Sequence, residues 1–535
     1  MSQSTFRQLD ALLARADALA ADLAEGASSA RTVGRERAIL RLLGVHGLDS
    51  AAQPLAGEVV DRYVAGSAER LAGGLLLPFA MALLVYEMTP QDLALDVASG
   101  KIDLALEGEA LDDPDRRALA EAEARRLIAF AVERVDANRT ARHELLSVLG
   151  EPRQPWVGAV LGAQSVDLGR AEIADLVRAG ADTVRVSVPA SRELTERLYD
   201  AGVGEAAPRA RRGPGAKPAL EPAPSGSQRG LADLREVVDR EGAEGSRYVR
   251  LATVTPPLSA PEQAVVAAFE RIDIVETDPL GEIVDGSADP DRVLADHAFA
   301  HAVARRADAL VALAPGPLVV GPDLARGVPS GAATRAGRAF ALQALAVFLA
   351  RRDGLRDDQL LLGALPVWLA DEREPTSHAL AQVAVRRTAF PELSLAFEEP
   401  PTASRIAAAW PFVLAAVMPL AGPTALVVRG ASADALPGAV AQTRAAAAVA
   451  GEMATSLHSR ALGGRALALV EEAIDAGLAA LERIGTDGFE SILGTPIGGA
   501  GHPRLGGDAV VRGTDALDLL AEAIATHPGG GGPPR

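Results

Sequence analysis

The chain contains no cysteine, so a disulfide framework, a thiol nucleophile and a thiolate-held zinc or iron–sulfur centre are excluded together. Lysine is nearly as scarce. Lys101 and Lys217 are the only two, and positive charge comes almost wholly from arginine. A Walker phosphate loop needs Gly-Lys followed by Ser or Thr, whereas Gly100-Lys101 is followed by Ile102 and Lys217 by Pro218. Gly-x-Ser-x-Gly and His-Glu-x-x-His are absent, which leaves serine-hydrolase and zincin readings without a nucleophile or a ligand set. The one dinucleotide-like spacing, Gly202-x-Gly204-x-x-Ala207, follows the helical run Glu193 to Leu198 rather than a strand, so its amides are not aimed at a pyrophosphate.

Long hydrophobic runs are missing too. The most apolar stretch, Leu75 to Tyr86, is interrupted by Pro78 and falls short of the roughly 18 residues of a membrane span; it predicts a buried helix. Arg7 and Asp10, ahead of an Ala/Leu amphipathic pattern, replace the apolar block of a secretory signal. The expected location is the cytoplasm. A formal charge of −18 and a pI near 5.0 speak against a nucleic-acid partner, which calls for a basic face.

What is present is an ordered alternation. At 535 residues and 55.1 kDa the chain exceeds one ordinary core, so a large central domain with helical attachments is expected. Apolar residues recur three and four apart over Phe6 to Ala24 and Arg37 to Leu43. Thr89-Pro90-Gln91-Asp92 reads as a helix start, and a long helical pattern runs from Asp113 to Leu149 up to the Gly150-Glu151-Pro152 break. From Trp156 onward, short β-rich runs alternate with amphipathic helices. The runs are Trp156 to Leu161, Thr183 to Val188, Tyr248 to Val254, Ile272 to Thr277, Ala309 to Ala314, Leu360 to Leu365, Leu393 to Phe397 and Ala425 to Val428.

Eight such strands predict an α/β fold, a (β/α)8 TIM-type barrel over residues 153–432, with an N-terminal helical region over 1–152 and a C-terminal helical extension over 433–527. Within the extension, Ala433 to Ile484 reads as a helical pair packed against the barrel or a partner, and Ala516 to Ala525 as a further helical run. The Pro-rich segment 202–230 predicts a flexible insert after the second strand, and the Gly/Pro tail 528–535 a disordered end.

In such barrels chemistry collects where strands end. Those ends carry Gln164 and Ser165, Thr253 and Thr255, Glu276 and Asp278, Glu398 and Glu399, and Arg429 with Ser432. The four carboxylates could cluster around a divalent cation or a substrate ammonium; the blander reading, a rim facing water, outweighs this, and no metal site is expected. Arg429-Gly430-x-Ser432 leaves the last strand where barrels often seat a phosphate. His297 and His301 lie four apart on one helix, and the expectation for them is solvated helix surface rather than a metal pair.

Read as a whole, the chain resembles the α subunit of the D-lysine 5,6-aminomutase family over most of its length. The matching strings are Arg37-Ala38-Ile39-Leu40-Arg41-Leu42-Leu43-Gly44, Val59-Val60-Asp61, Thr89-Pro90-Gln91-Asp92, Ser99-Gly100-Lys101-Ile102-Asp103-Leu104, Ala179-Gly180-Ala181-Asp182, Tyr248-Val249-Arg250-Leu251, Pro261-Glu262, Glu270-Arg271-Ile272-Asp273 and Pro400-Pro401-Thr402. The resemblance implies movement of an amino group between adjacent carbons by radical chemistry, started by adenosylcobalamin and carried on pyridoxal phosphate. It also implies a β subunit that holds the cobalamin through Asp-x-His-x-x-Gly and supplies the Schiff-base lysine.

The resemblance departs at the cofactor grip. The family's arginine and serine after strand two align with Val188 and Glu193, its serine after strand three with Pro256, its stacking tyrosine after strand four with Gly281, and a histidine after strand six with Ala364. On this alignment no cofactor-binding residue matches the family motif. Three readings follow: an aminomutase α subunit with a rearranged grip, acting on a small amino acid; a non-catalytic paralogue serving as a binding or assembly module beside a cobalamin-carrying partner or the true enzyme; and a barrel with a new small-molecule activity built on Glu276, Asp278, Glu398 and Arg429. The expected partner is a cobalamin-binding β subunit or a second copy of the chain in a homo-oligomer.

Overall fold

The structure, a computed structural model, describes residues 2–27, 30–49, 54–161, 166–186, 228–255, 258–284, 289–314, 332–365, 374–399, 410–428, 435–456, 464–489, 510–512, 520, 523 and 524. The chain opens with α1 (Gln3–Ala27), strand β1 (Ala30–Thr32), α2 (Val33–Leu42), α3 (Leu55–Val64), α4 (Ala68–Gly73), α5 (Leu76–Tyr86), α6 (Pro90–Ala98), α7 (Leu104–Glu109) and the long α8 (Pro114–Leu149). Side-chain caps set where several of these begin: Thr32, Ser67, Thr89, Asp103 and Asp113 each accept a backbone N–H of the first turn. Pro90 and Pro114 occupy first-turn positions where no donor is needed. Helix α5 is buried from Pro78 to Leu83, but Leu84, Val85 and Tyr86 are exposed, so the expected buried helix is buried only in its first part. No helix among the described residues is long and apolar enough to cross a membrane.

Strands with apolar residues on both faces must be covered on both, and parallel pairing beneath a layer of helices achieves this. The strands are β2 (Trp156–Leu161), β3 (Thr183–Val186), β4 (Arg250–Val254), β5 (Ile274–Thr277), β6 (Leu310–Leu313), β7 (Leu360–Leu365), β8 (Ser394–Glu398) and β9 (Thr424–Val428). Each pairs in parallel with its sequence neighbour, and β9 returns to β2, closing the barrel. The eight predicted runs are therefore the eight staves. Between them lie α9 (Val166–Ala179), α10 (Gln228–Glu244), α11 (Ala260–Phe269), the short α12 (Pro279–Val284), α13 (Pro290–Ala307), α14 (Ala332–Arg352), α15 (Pro375–Ala389) and α16 (Trp410–Ala421). The segment 202–230 lies outside the described residues up to 227, and α10 begins at its end.

After the barrel come α17 (Leu436–Ser456) and α18 (Gly464–Asp487), the anticipated helical pair, and strand β10 (Val510–Arg512), which pairs antiparallel with β1. Helix α17 packs on α16 and α9, and α18 on α14, α15 and α1. The rest of the predicted run Ala516 to Ala525, apart from Leu520, Ala523 and Ile524, and the tail 528–535 fall outside the described residues.

Two cores result. Inward-facing Ala252, Ile274, Ala312, Leu361 and Ala396 fill the barrel, whereas outward residues such as Leu251, Val275, Val311, Leu362 and Leu395 join the helices. This alternation decides which strand residues look into the mouth.

A candidate ligand site at the barrel mouth

Register carries the inward face upward. Ala252 is opposite Arg185 on one side and Ile274 on the other, so Arg185 points inward. Glu276, two residues beyond Ile274, and Glu398, two beyond Ala396, share that face. The interior above the apolar plug is thus polar. Arg185 Nη1 meets Glu276 Oε2 at 2.7 Å, with the two side chains only 13% and 19% exposed. At such burial an ion pair is screened far less than a surface pair. Arg185 Nε is buried with no hydrogen-bond partner among the described residues.

Behind this pair, Asp278 lies between β5 and α12: its Oδ1 accepts the Gly281 N–H at 2.9 Å. Burial pushes the Asp278 carboxyl up to about 7, and Glu282 and Glu276 add to the rise; the Gly281 N–H and His297 oppose it. Glu282 accepts the Leu258 N–H at 2.9 Å and lies 3.2 Å from His297 Nε2. His301 Nδ1 lies 2.7 Å from Asp353. Both histidines are 2% exposed, which corrects the expectation of solvated helix surface. α13 is covered by α11, α1 and α12, so its polar face is internal and its histidines are held by carboxylates.

Other expectations also change. Thr253 does not look into the mouth: it lies on the outward face with Leu251, fully buried, and accepts a hydrogen bond from Gln263 Nε2 of α11 at 2.9 Å. Thr255 is buried and donates its backbone N–H to the Glu276 carbonyl at 2.8 Å. Glu399 leans toward α17, where the Thr443 hydroxyl donates to it at 3.3 Å, and burial pushes its carboxyl up. Three of the four carboxylates have partners of their own, Arg185 for Glu276, the Gly281 N–H for Asp278 and Thr443 for Glu399; among the described residues no group of three His, Asp or Glu could hold a metal ion. Gln164, Ser165, Arg429 and Ser432 lie outside the described residues, as do Val188, Glu193 and Pro256.

Arg185 was missed from sequence. The available signal was a lone charge in the run Thr183-Val184-Arg185-Val186, but only register shows that it faces Glu276 two strands away.

A closed ring of eight parallel strands, jacketed by helices and polar at the carboxyl ends of its strands, defines a TIM-type (β/α)8 barrel protein. A family model described as the D-lysine 5,6-aminomutase TIM-barrel domain of the alpha subunit matches residues 5–408, and the chain belongs to that family. It is similar to the lysine 5,6-aminomutase alpha subunit of Acetoanaerobium sticklandii, 26% identical over 299 residues, covering 56% of this chain and 53% of that one. The corresponding subunit of Fusobacterium nucleatum subsp. nucleatum is 26% identical over 389 residues, covering 71% and 68%. The chain thus spans about half the length of the first relative and about two thirds of the second. Among solved structures, dihydropteroate synthase from Anaplasma phagocytophilum is similar at a TM-score of 0.34 and 13% identity, over 56% of this chain and 98% of that one.

Proposed function

We propose that this chain is the barrel subunit of an aminomutase-type assembly, working beside a cobalamin-carrying β subunit, and that its mouth receives a small zwitterionic amino acid without gripping pyridoxal phosphate in the family's manner. The observation that carries this is the inward-facing Arg185–Glu276 pair at 2.7 Å. A guanidinium suits a carboxylate, and Glu276 on the same inward face suits an ammonium.

The residues described at the mouth do not fit pyridoxal phosphate. Where the resemblance calls for a stacking tyrosine, Gly281 offers no ring, and its N–H is already taken by Asp278. Around it stand Glu276, Asp278 and Glu282, carboxyl groups that disfavour a phosphate dianion. The strings shared with the family serve elsewhere. Asp182 and Asp273 anchor the amino ends of β3 and β5, and Arg37, Arg41 and Glu262 lock the N-terminal arm to the barrel. What resembles the family is the scaffold, and what departs from it is the mouth.

The test is to co-express the chain with a neighbouring reading frame bearing Asp-x-His-x-x-Gly, purify the complex and titrate it with pyridoxal phosphate. A stable complex is expected, with no shifted absorption of bound cofactor at saturation. A shifted band that disappears when residues of this chain's mouth are changed would overturn the proposal in favour of an active aminomutase with a rearranged grip. Failure to copurify would leave a barrel acting as a homo-oligomer with a chemistry of its own.

A further inference from the structure

The flank of the barrel formed by α16 and α17 carries almost no charge. α16 contains no ionisable residue, yet Phe412 is 73% exposed and Leu420 39%; eight residues apart, they share one helix face. Along α17, Ala441, Ala445, Ala448 and Val449 are exposed at three- and four-residue spacing, Val449 by 56%. The ionisable residues of α17 are Arg444, which donates to the Gly180 carbonyl and meets Asp182 beside β3, and Glu452 near its end. The two helices pack on each other, so their outer stripes lie side by side. A helix on the outside of a barrel ordinarily buries its apolar stripe and turns charge to water. Here apolar residues face both ways.

We propose that this flank is a two-fold interface between two copies of the chain. Helices of 21 and 12 residues, rising about 1.5 Å per residue and about 10 Å apart, present roughly 500 Å². That is at the upper end of what a soluble monomer leaves exposed, and two such faces together reach about 1,000 Å², where specific interfaces begin. Charge selects the occupant. At −18 two copies repel wherever their charged surfaces meet, so contact belongs on a face almost without charge, whereas a partner of opposite sign finds almost nothing there to pair with. A cobalamin-carrying subunit has to reach the mouth at the carboxyl ends of the strands and does not compete for a side wall. A two-fold face must also fit itself: Phe412 supplies a projection, and the alanines of α17 a low surface that receives it and lets helices approach closely. The inference is independent of the ligand proposed for the mouth.

Size-exclusion chromatography of the full chain with light scattering, over a dilution series, tests it. A mass twice the 55.1 kDa of one chain is expected, held more tightly as salt rises because the repulsion is screened. Phe412→Glu and Val449→Glu, both at exposed positions, should each leave circular dichroism unchanged and raise the dimer dissociation constant by about 30-fold or more. Phe130→Glu, at a phenylalanine of α8 that is also 73% exposed, should leave it as it was. Because the chain has no cysteine, Ala445→Cys introduces a single thiol. It should react with a bulky maleimide more slowly in the dimer than after dilution or in the Phe412→Glu background, and the thiol of Phe130→Cys should react at one rate throughout. A parent chain that stays monomeric, a dimer that survives both glutamates, a dimer lost equally in Phe130→Glu, or an Ala445→Cys thiol indifferent to dilution would each overturn the proposal.

Discussion

Asp278 shows how a single side chain records the character of the mouth. It follows a strand, caps the helix that comes next and sits where its charge is disfavoured, by burial first and then by Glu282 and Glu276. Its folded-state value near 7 lies above the roughly 3.9 of an unfolded aspartate. Between those values the folded chain holds a proton that the unfolded chain has released. Stability is therefore fully present below about pH 4 and falls as pH rises toward 7, then levels off. Asp278→Asn keeps an oxygen for the Gly281 N–H and removes the titration. The variant should match the parent most closely at low pH and exceed it by roughly 1–3 kcal/mol at pH 8. Denaturant unfolding at pH 5, 6.5 and 8 measures this, and a difference that stays constant across the series contradicts it.

At the scale of elements, two glycines let a pair of helices approach closely. Helices α14 and α18 cross where a Cβ on Gly337 would run into the carbonyl of Ala473, and a Cβ on Gly477 would sit 2.8 Å from the Gly337 carbonyl oxygen. Backbone stands on both sides, so there is no flexible side chain to yield. Gly337→Ala should therefore destabilise by about 1–3 kcal/mol, even though alanine is the better helix former. Gly451→Ala in α17, with nothing within 4 Å of its Cβ, should stabilise by roughly 0.4–1 kcal/mol. Equal effects at the two positions, read from denaturant midpoints, would mean that helix propensity and not packing governs both. The same scale explains what the sequence made legible. The staves were visible because a strand covered on both faces is a short apolar run bounded by breaks, and their ends moved by no more than about two residues. Which way each residue faces was not visible, since it depends on register with neighbours far away in sequence. Thr253 was expected in the mouth and lies against Gln263, and Arg185 passed unnoticed. For His297 and His301 a related reason applies: a helix's polar face is water-facing only if nothing packs on it, and the sequence pattern of α13 does not show that α11, α12 and the distant α1 fold over it.

Across the whole molecule, the N-terminal arm is held to the barrel by buried ions as well as by apolar contact. Arg37 Nε and Arg41 Nε reach the two oxygens of Glu262 at 2.9 and 3.0 Å, and Thr32 donates to Asp296. Arg142 of α8 meets Asp273 at 3.0 Å and donates to the Ile272 and Ala307 carbonyls at 2.8 and 2.7 Å. Burial would raise the Glu262 carboxyl, but Arg37 and Arg41 hold it below the usual carboxylate range. Glu262→Gln would leave two nearly buried guanidinium groups without their shared anion, and breaking such a set by one partner costs about 3–5 kcal/mol. Because the anion belongs to a barrel helix and the cations to the arm, the loss should fall on both parts together. Trp156, Trp368 and Trp410 all lie from the first stave onward, so their fluorescence reports the barrel, whereas circular dichroism also includes the helices of the arm. In the parent chain the two unfolding curves should coincide, and in Glu262→Gln both should shift to lower denaturant by the same amount. A variant whose dichroism falls first while its fluorescence is unchanged would show that the arm melts alone, and that these ions fasten an appendage rather than complete the fold.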